Sequence, residues 1–167
     1  MEEYDLVNKV PESLNISIAP FIKIGNGYYY IETRLEKNWF DAYETCRRIN
    51  ADLIAFETIE EWDFVNQYLI KMNIAYVYWT AGNDLGNEGK HNWFSTGKPL
   101  TLDIWYPTEP NNYDGIEHCD LFGDRRGSNA SYNDLNARPC IMQRHYICEA
   151  PQPKTASFII WLNFQMS

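Results

Sequence analysis

The feature that most constrains the fold is a set of four cysteines, Cys46, Cys119, Cys140 and Cys148. An even number suits two disulfides, and four cysteines allow three connectivities among which the sequence alone does not choose. A zinc site is the alternative, but the chain has no C-x-x-C pair and no histidine at zinc-finger spacing. We therefore expect two disulfides, and with them an oxidising, extracellular compartment and a secreted protein.

Length and composition indicate a single globular domain. A chain of 167 residues can bury its own core, and 45% hydrophobic with 16% aromatic residues excludes disorder. The net charge of −9 disfavours a nucleic-acid partner, because phosphates would be repelled. No segment approaches the roughly 18 apolar residues of a membrane-spanning helix. Met1-Glu2-Glu3 is followed by no apolar signal core, so we interpret the chain as a mature form with an added methionine.

The periodicity of apolar residues predicts an α+β fold with two helices. Asn38 can cap a first helix whose apolar side chains recur every three or four residues up to Cys46. Thr58 and Glu61 form a capping box for a second helix with an apolar side that ends at Leu69. Short β-rich runs predict strands in segments 21–24, 28–31, 76–81, 92–94, 119–122, 131–132 and 146–148.

Polar segments divide the chain into three parts. Residues 1–20 read as an N-terminal arm, residues 21–150 carry the predicted domain, and residues 151–167 form a C-terminal tail with a short apolar run. Within the domain, residues 82–89 are predicted to form a loop, and the basic residues of segment 123–129 a hairpin tip.

The region from Trp105 to Cys148 is rich in oxygen-donating side chains, which are the ligands that a hard cation prefers. Calcium takes about six to eight oxygens, so five side chains and one backbone carbonyl would leave roughly two positions open. The predicted ligands are Glu109, Asn111, Glu117, Asn133 and Asp134.

Two neighbouring hydroxyls of a sugar could complete such a shell. Each hydroxyl could give a lone pair to the cation, donate a proton to a carboxylate, and accept one from an amide. Taken alone, Glu109-Pro110-Asn111-Asn112 is a turn sequence. The function is suggested by its conjunction with a second acid eight residues later, an Asn-Asp pair further on and the flanking cysteines.

At these residues the chain resembles the C-type lectin-like domains, of the short, soluble kind that insects secrete. The resemblance covers residues 21–150 and rests on the four cysteines and three short motifs, which are Trp79-Thr80-Ala81-Gly82, Glu109-Pro110-Asn111 and Tyr132-Asn133-Asp134. Tyr132 stands where the family has Trp. The resemblance implies two helices packed on antiparallel sheets, a long calcium-binding loop region, and disulfides joining Cys46 to Cys148 and Cys119 to Cys140.

The resemblance also implies the ligands of the loop region. Calcium would be held by the five residues named above, and the sugar would contact Glu109, Asn111, Glu117, Asn133 and Tyr113. The Glu-Pro-Asn order goes with mannose, fucose or N-acetylglucosamine, whereas an aromatic residue such as Tyr113 is found in members that select galactose. An accessory calcium site would use Asp84, Glu88, Asn112 and Glu117, and we expect it to be weak or empty because His118 replaces an acid.

Other functions have weaker support in the sequence. The runner-up is a lectin-like domain that binds a protein and uses calcium only to order its loops. An enzyme finds little support, because His91, His118 and His145 form no zinc-protease motif. Asn15 and Asn129 lie in glycosylation sequons. We therefore expect glycans or glycoproteins as partners, bound with useful strength only by a homo-oligomer or a multivalent glycan.

Overall fold

The computed structural model describes residues 19–126 and 133–151, with the side chains of residues 124–126 excluded. Residues Phe21–Pro151 form one compact unit. Nearly all of the predicted arm and tail, both sequons, Tyr132 and the side chains of Arg125 and Arg126 lie outside the described residues.

The two predicted helices are present and begin at the predicted caps. Helix α1 spans Trp39–Arg48, and the Asn38 side chain accepts a hydrogen bond from the Asp41 amide. Helix α2 spans Ile59–Lys71 and is capped in the same way by Thr58. The Glu61 carboxylate accepts from the Glu57 amide at 3.0 Å. In the described residues no helix is long and apolar enough to cross a membrane.

The strands form one sheet with the order β1-β2-β8-β4-β6-β7, to which β3 and β5 are added at β8 and β4. The strands are β1 Ile22–Ile24, β2 Gly27–Lys37, β3 Asp52–Leu53, β4 Tyr78–Asn83, β5 Asn92–Trp93, β6 Cys119–Arg126, β7 Asn133–Arg138 and β8 Arg144–Glu149. Among these strands all pairings are antiparallel except that of β4 with β8. Such a parallel pair needs a long connection, which the 60 or so intervening residues provide.

Several strands differ from the sequence prediction. Strands β3 and β7 were not predicted, β8 begins two residues earlier than predicted, and the strand predicted at 131–132 lies outside the described residues. Strand β2 continues to Lys37, β4 takes in Gly82 and Asn83 from the predicted loop, and β6 continues to Arg126 into the predicted hairpin tip. Between Phe122 and Arg126 the register with β7 shifts. Gly123 lies there with a φ of +94°, a conformation that favours glycine.

The two disulfides have the pairing that the resemblance implied. Cys46–Cys148 joins α1 to β8, and Cys119–Cys140 joins β6 to the segment after β7. Both lie in a core that is centred on fully buried Trp79, whose indole N–H donates to the Lys37 carbonyl at 2.9 Å. The Cys119–Cys140 disulfide therefore fixes the start of β6, which is the end of the long loop formed by residues 94–118.

Candidate functional site

The long loop is attached to strand β7 at its base. The Tyr106 amide donates to the Leu135 carbonyl at 2.9 Å, and the Leu135 amide donates to the Ile104 carbonyl at 2.8 Å. Trp105 is half-buried, and its ring lies edge-on to that of His91 at 5.0 Å. These contacts place the segment that leads into Glu109 directly beside β7.

Glu109 and Asn111 lie side by side on the exposed part of this loop, on either side of a cis Glu109–Pro110 peptide bond. The Asn111 side-chain amide donates to Glu109 Oε1 at 2.5 Å, and its backbone amide donates to Oε2 at 3.2 Å. The loop thus presents a carboxylate, which accepts hydrogen bonds, next to an amide, which donates them.

Glu117 closes the loop and, unlike Glu109, is buried, with 4% of its surface exposed. Its Oε2 accepts from the Tyr113 amide at 3.2 Å, and its own amide donates to Asn112 Oδ1 at 3.1 Å. Its other oxygen, Oε1, accepts from Arg138 Nη1 at 2.8 Å. The carboxylate is therefore held by its own loop on one side and by β7 on the other.

Asn133 lies at the opposite end of β7 from this contact. Its amide donates to Asn66 Oδ1 at 2.8 Å, and its carbonyl accepts from the Trp62 indole at 3.2 Å, so it packs against α2. Five residues of strand separate Asn133 from Arg138 by about 16 Å. The structure gathers Glu109, Asn111 and Glu117 in one loop and does not bring Asn133 to them.

Asp134 lies near a second acid, Asp103. Burial raises the pKa of its carboxyl, and the negative charge of Asp103 raises it further. Asp134 is half-buried and one residue before Leu135, to which the loop base is bound. It is thus closer to the loop than Asn133 is.

Two residues of β7 that sequence reasoning did not select lie on the side of Glu117. Regular pairing places Asn136 opposite Leu121 and Arg138 opposite Cys119. Side chains two apart on a strand share a face, so Asn136 lies on the face from which Arg138 reaches Glu117. Asn136 is fully buried between the loop base at Leu135 and Arg138. The sequence feature that could have identified these residues is the Cys119–Cys140 disulfide, because it brings together the segments that precede the two cysteines.

The predicted accessory residues are each engaged by another side chain. Asp84 is almost fully buried, with His118 Nδ1 at 2.8 Å from one oxygen and the Gly89 amide at 2.7 Å from the other. Glu88 accepts from the Asn112 side chain at 2.7 Å.

A second histidine continues this array into the sheet. His91 lies with Nε2 3.6 Å from Asp84 and Nδ1 2.8 Å from buried Asp120. Burial disfavours a charged His91, but the hydrogen bond to Asp120 and the negative charges of Asp120 and Asp84 together outweigh this and raise its pKa. Burial raises the pKa of Asp120 to about 6 against the opposing effect of His91.

The donor chemistry of the loop suits calcium, with one exception. Glu109, Asn111 and Glu117 supply carboxylate and amide oxygens, and two carboxylates balance the charge of one divalent ion. In residues 19–126 and 133–151 no three acidic, histidine or cysteine side chains are grouped to hold a metal. The exception is Arg138, whose positive charge already neutralises Glu117.

Two apolar side chains stand exposed beside these polar groups. Tyr113 is 67% exposed and Ile116 is 55% exposed, at either end of the short turn Tyr113–Gly115. They offer exposed apolar surface in the same loop as the Glu109–Asn111 pair.

Comparison with known proteins identifies relatives of the whole domain. Residues 35–150 match the family model of the lectin C-type domain. The chain is 40% identical over 158 residues to C-type lectin 37Da of Drosophila melanogaster, covering 92% of this chain and 84% of that relative.

Solved structures show the same fold. The human scavenger receptor C-type lectin carbohydrate-recognition domain superposes with a TM-score of 0.67 at 18% identity, over 79% of this chain and 96% of that one. The carbohydrate-recognition domain of cow CD23, solved in the presence of a GlcNAc2Man3 oligosaccharide, superposes with a TM-score of 0.65 at 23% identity, over 88% and 99% of the two chains. The fold predicted from the sequence is confirmed.

Proposed function

This chain belongs to the C-type lectin domain family, which comprises carbohydrate-binding lectins, and we propose that it binds two neighbouring hydroxyls of a mannose-type sugar in a calcium-dependent manner. The observation that carries the proposal is the pairing of the Glu109 carboxylate with the Asn111 amide at 2.5 Å on an exposed loop. One hydroxyl can donate to the carboxylate while its neighbour accepts from the amide.

Calcium would be held by Glu109, Asn111 and Glu117, which supply two carboxylates and one amide oxygen. When bound, the ion would accept lone pairs from both sugar hydroxyls and complete its oxygen shell with them. Glu109 and Glu117 already balance the charge of the ion, and Asp134 would add a further negative charge, so a neutral sugar fits the site better than an anionic ligand.

Strand β7 would complete the protein ligands, and we propose Asn136 for this role where the sequence predicted Asn133. The support is positional, since Asn136 lies between the loop base at Leu135 and the Arg138–Glu117 contact. Asp134, next to Leu135, remains a proposed ligand of the same strand. The accessory site of Asp84, Glu88, Asn112 and Glu117 is proposed to be weak, because His118 and Asn112 engage its acids.

Mannose, fucose and N-acetylglucosamine are the proposed ligands, with galactose as the second choice. The order of acid before amide in Glu109-Pro110-Asn111 supports the first group. Exposed Tyr113 favours galactose, since an aromatic ring can stack on the apolar face of that sugar. The oligosaccharide named in the cow CD23 structure contains mannose and N-acetylglucosamine, which agrees with the first group.

We propose that the protein is secreted and acts as a binding module, without catalytic activity. Two disulfides support an oxidising compartment. The lectin domain is proposed to span residues 21–150, in line with the compact unit Phe21–Pro151. Because a single sugar makes few contacts on an open surface, useful binding would require a multivalent glycan or an oligomer.

A competition experiment separates this proposal from binding to a protein partner. The protein should bind a mannose-rich glycoprotein only in the presence of calcium. Free mannose should inhibit this binding, and galactose should inhibit it to a smaller extent. Binding that resists free sugar would favour a protein partner, with calcium confined to ordering the loops.

A further inference from the structure

We propose that Arg138 is an internal competitor of calcium, whose guanidinium neutralises Glu117 in the calcium-free protein and has to withdraw when the ion binds. This inference rests on the proposed calcium site. It assigns to Arg138 the control of the calcium affinity of the loop.

The contact between the two residues is short and largely shielded from water. Arg138 Nη1 lies 2.8 Å from Glu117 Oε1, and the two side chains are 24% and 5% exposed. A carboxylate that is buried this deeply needs a positive partner or several hydrogen-bond donors. In the structure Arg138 supplies the charge that calcium would otherwise supply.

The backbone of Arg138 is fixed, so only its side chain can move. Arg138 pairs with Cys119 in the β6–β7 ladder, and its carbonyl accepts from the His118 amide at 3.3 Å. The Cys119–Cys140 disulfide holds the same ends together. The side chain of Arg138, in contrast, is 24% exposed, which offers it a path into water.

Charge decides what happens when the ion arrives. Glu117 Oε1 cannot bind calcium freely while it accepts from Arg138, and the guanidinium adds a positive charge beside a doubly positive ion. A cation a few Å from calcium is repelled by several RT even in a well-screened environment. Calcium binding and the Arg138–Glu117 contact therefore exclude each other, and the arginine lowers the calcium affinity.

The same contact has a second consequence for the calcium-free state. Because Arg138 neutralises Glu117, removing calcium leaves no buried, unpaired carboxylate behind at this end of the loop. The loop end near Glu117 should stay ordered in chelator, and calcium should act chiefly on the exposed Glu109–Asn111 pair.

The test compares Arg138→Gln with the wild-type protein by calorimetric calcium titration. We expect the variant to bind calcium at least tenfold more tightly, and to unfold at a lower temperature than wild type in chelator. Arg48→Gln is the matched control, because Arg48 pairs with Glu44 at 3.4 Å on the exposed face of α1 and its loss changes the net charge equally. The control should bind calcium as wild type does.

Arg138→Lys keeps the charge and guards against a folding defect, and it should bind calcium within a few-fold of wild type. In addition, the guanidinium signals of Arg138 in a nitrogen-15 spectrum should change from protected to rapidly exchanging on addition of calcium. Equal calcium affinity of Arg138→Gln and wild type would overturn the competition while leaving the calcium site intact. Absence of calcium binding by both proteins would overturn the calcium dependence of the proposed function, and the competition with it.

Discussion

The side-chain amide of Asn111 donates a 2.5 Å hydrogen bond to the carboxylate of Glu109, two residues earlier in the chain. The pair therefore presents one donor and one acceptor together, and the order of the two decides which sugar hydroxyls fit. We expect Asn111→Asp to remove the donor and weaken mannose binding by about ten- to a hundredfold, as for loss of a hydrogen bond to a charged group.

Calorimetric titration with mannose would measure this change. The control is Asn73→Asp, which makes the same change of charge at an exposed residue just after α2. Unaltered mannose affinity in Asn111→Asp would show that the amide is not the donor.

The residues of β7 can be separated by a pair of alanine variants. Asn136 lies on the face of Arg138 and Glu117, whereas Asn133 packs against α2. We expect Asn136→Ala to weaken calcium binding at least tenfold, and Asn133→Ala to leave it within about threefold, because only the former removes an oxygen near the ion. Calcium titration of both variants, after a check of folding by circular dichroism, measures the two affinities. A larger loss of calcium affinity in Asn133→Ala than in Asn136→Ala would support Asn133 as the ligand, as predicted from the sequence.

Two glycines of neighbouring segments differ in the space around them. A Cβ added at Gly82 would lie 2.9 Å from both Cβ and Cγ of buried Asp120, whereas one at Gly86 would meet nothing within 4 Å. We expect Gly82→Ala to lower the free energy of unfolding by about 1–3 kcal/mol, because Asp120 cannot yield without disturbing His91. Gly86→Ala should stay near wild type. Urea unfolding compares the two, and equal stabilities would contradict the close packing of β4 on β6.

The stability of the protein should fall as pH rises through the neutral range, because of two carboxyls near the start of α2. Burial, together with the neighbouring Glu61, raises the pKa of Glu149 from 4.5 to about 8. Burial also raises the pKa of Glu61, although Tyr29 donates to it at 2.7 Å. Since the folded state then binds more protons than the unfolded state, this contribution is fully present below pH 4.5 and is lost as pH approaches 8.

Glu149→Gln should flatten this dependence, because a neutral amide takes the place of the protonated carboxyl. Free energies of unfolding in urea at pH 5, 7 and 9 would measure this dependence, with Glu60→Gln, at an exposed residue of α2, as the control. A variant that retains the full wild-type slope would place the responsible groups elsewhere.

Local features of the chain could be predicted from the sequence, whereas features that depend on register could not. The caps at Asn38 and Thr58 act within three residues, and both are where the sequence indicated them. The face that a β7 residue occupies depends on pairing with β6, and a shift of one residue reverses it. Asn133 was predicted from the likeness of Tyr132-Asn133-Asp134 to a family motif, and such a motif does not show which β7 residue lies on the face of Glu117.

Arg138 illustrates the same limit for charges. It meets Glu117 across 21 residues of sequence, and nothing in its immediate neighbours marks it as a partner of a predicted calcium ligand. The disulfide pairing that the resemblance implied does indicate this contact, because it places the segments before Cys119 and Cys140 side by side.

The most direct test of the account is a glycan array probed with the wild-type protein in calcium and again in excess chelator. We expect mannose-, fucose- or N-acetylglucosamine-terminated glycans to be bound in calcium and lost in chelator, with binding restored when calcium is returned. Glycan binding of equal strength in both conditions would contradict the calcium-dependent recognition of a sugar diol by Glu109 and Asn111.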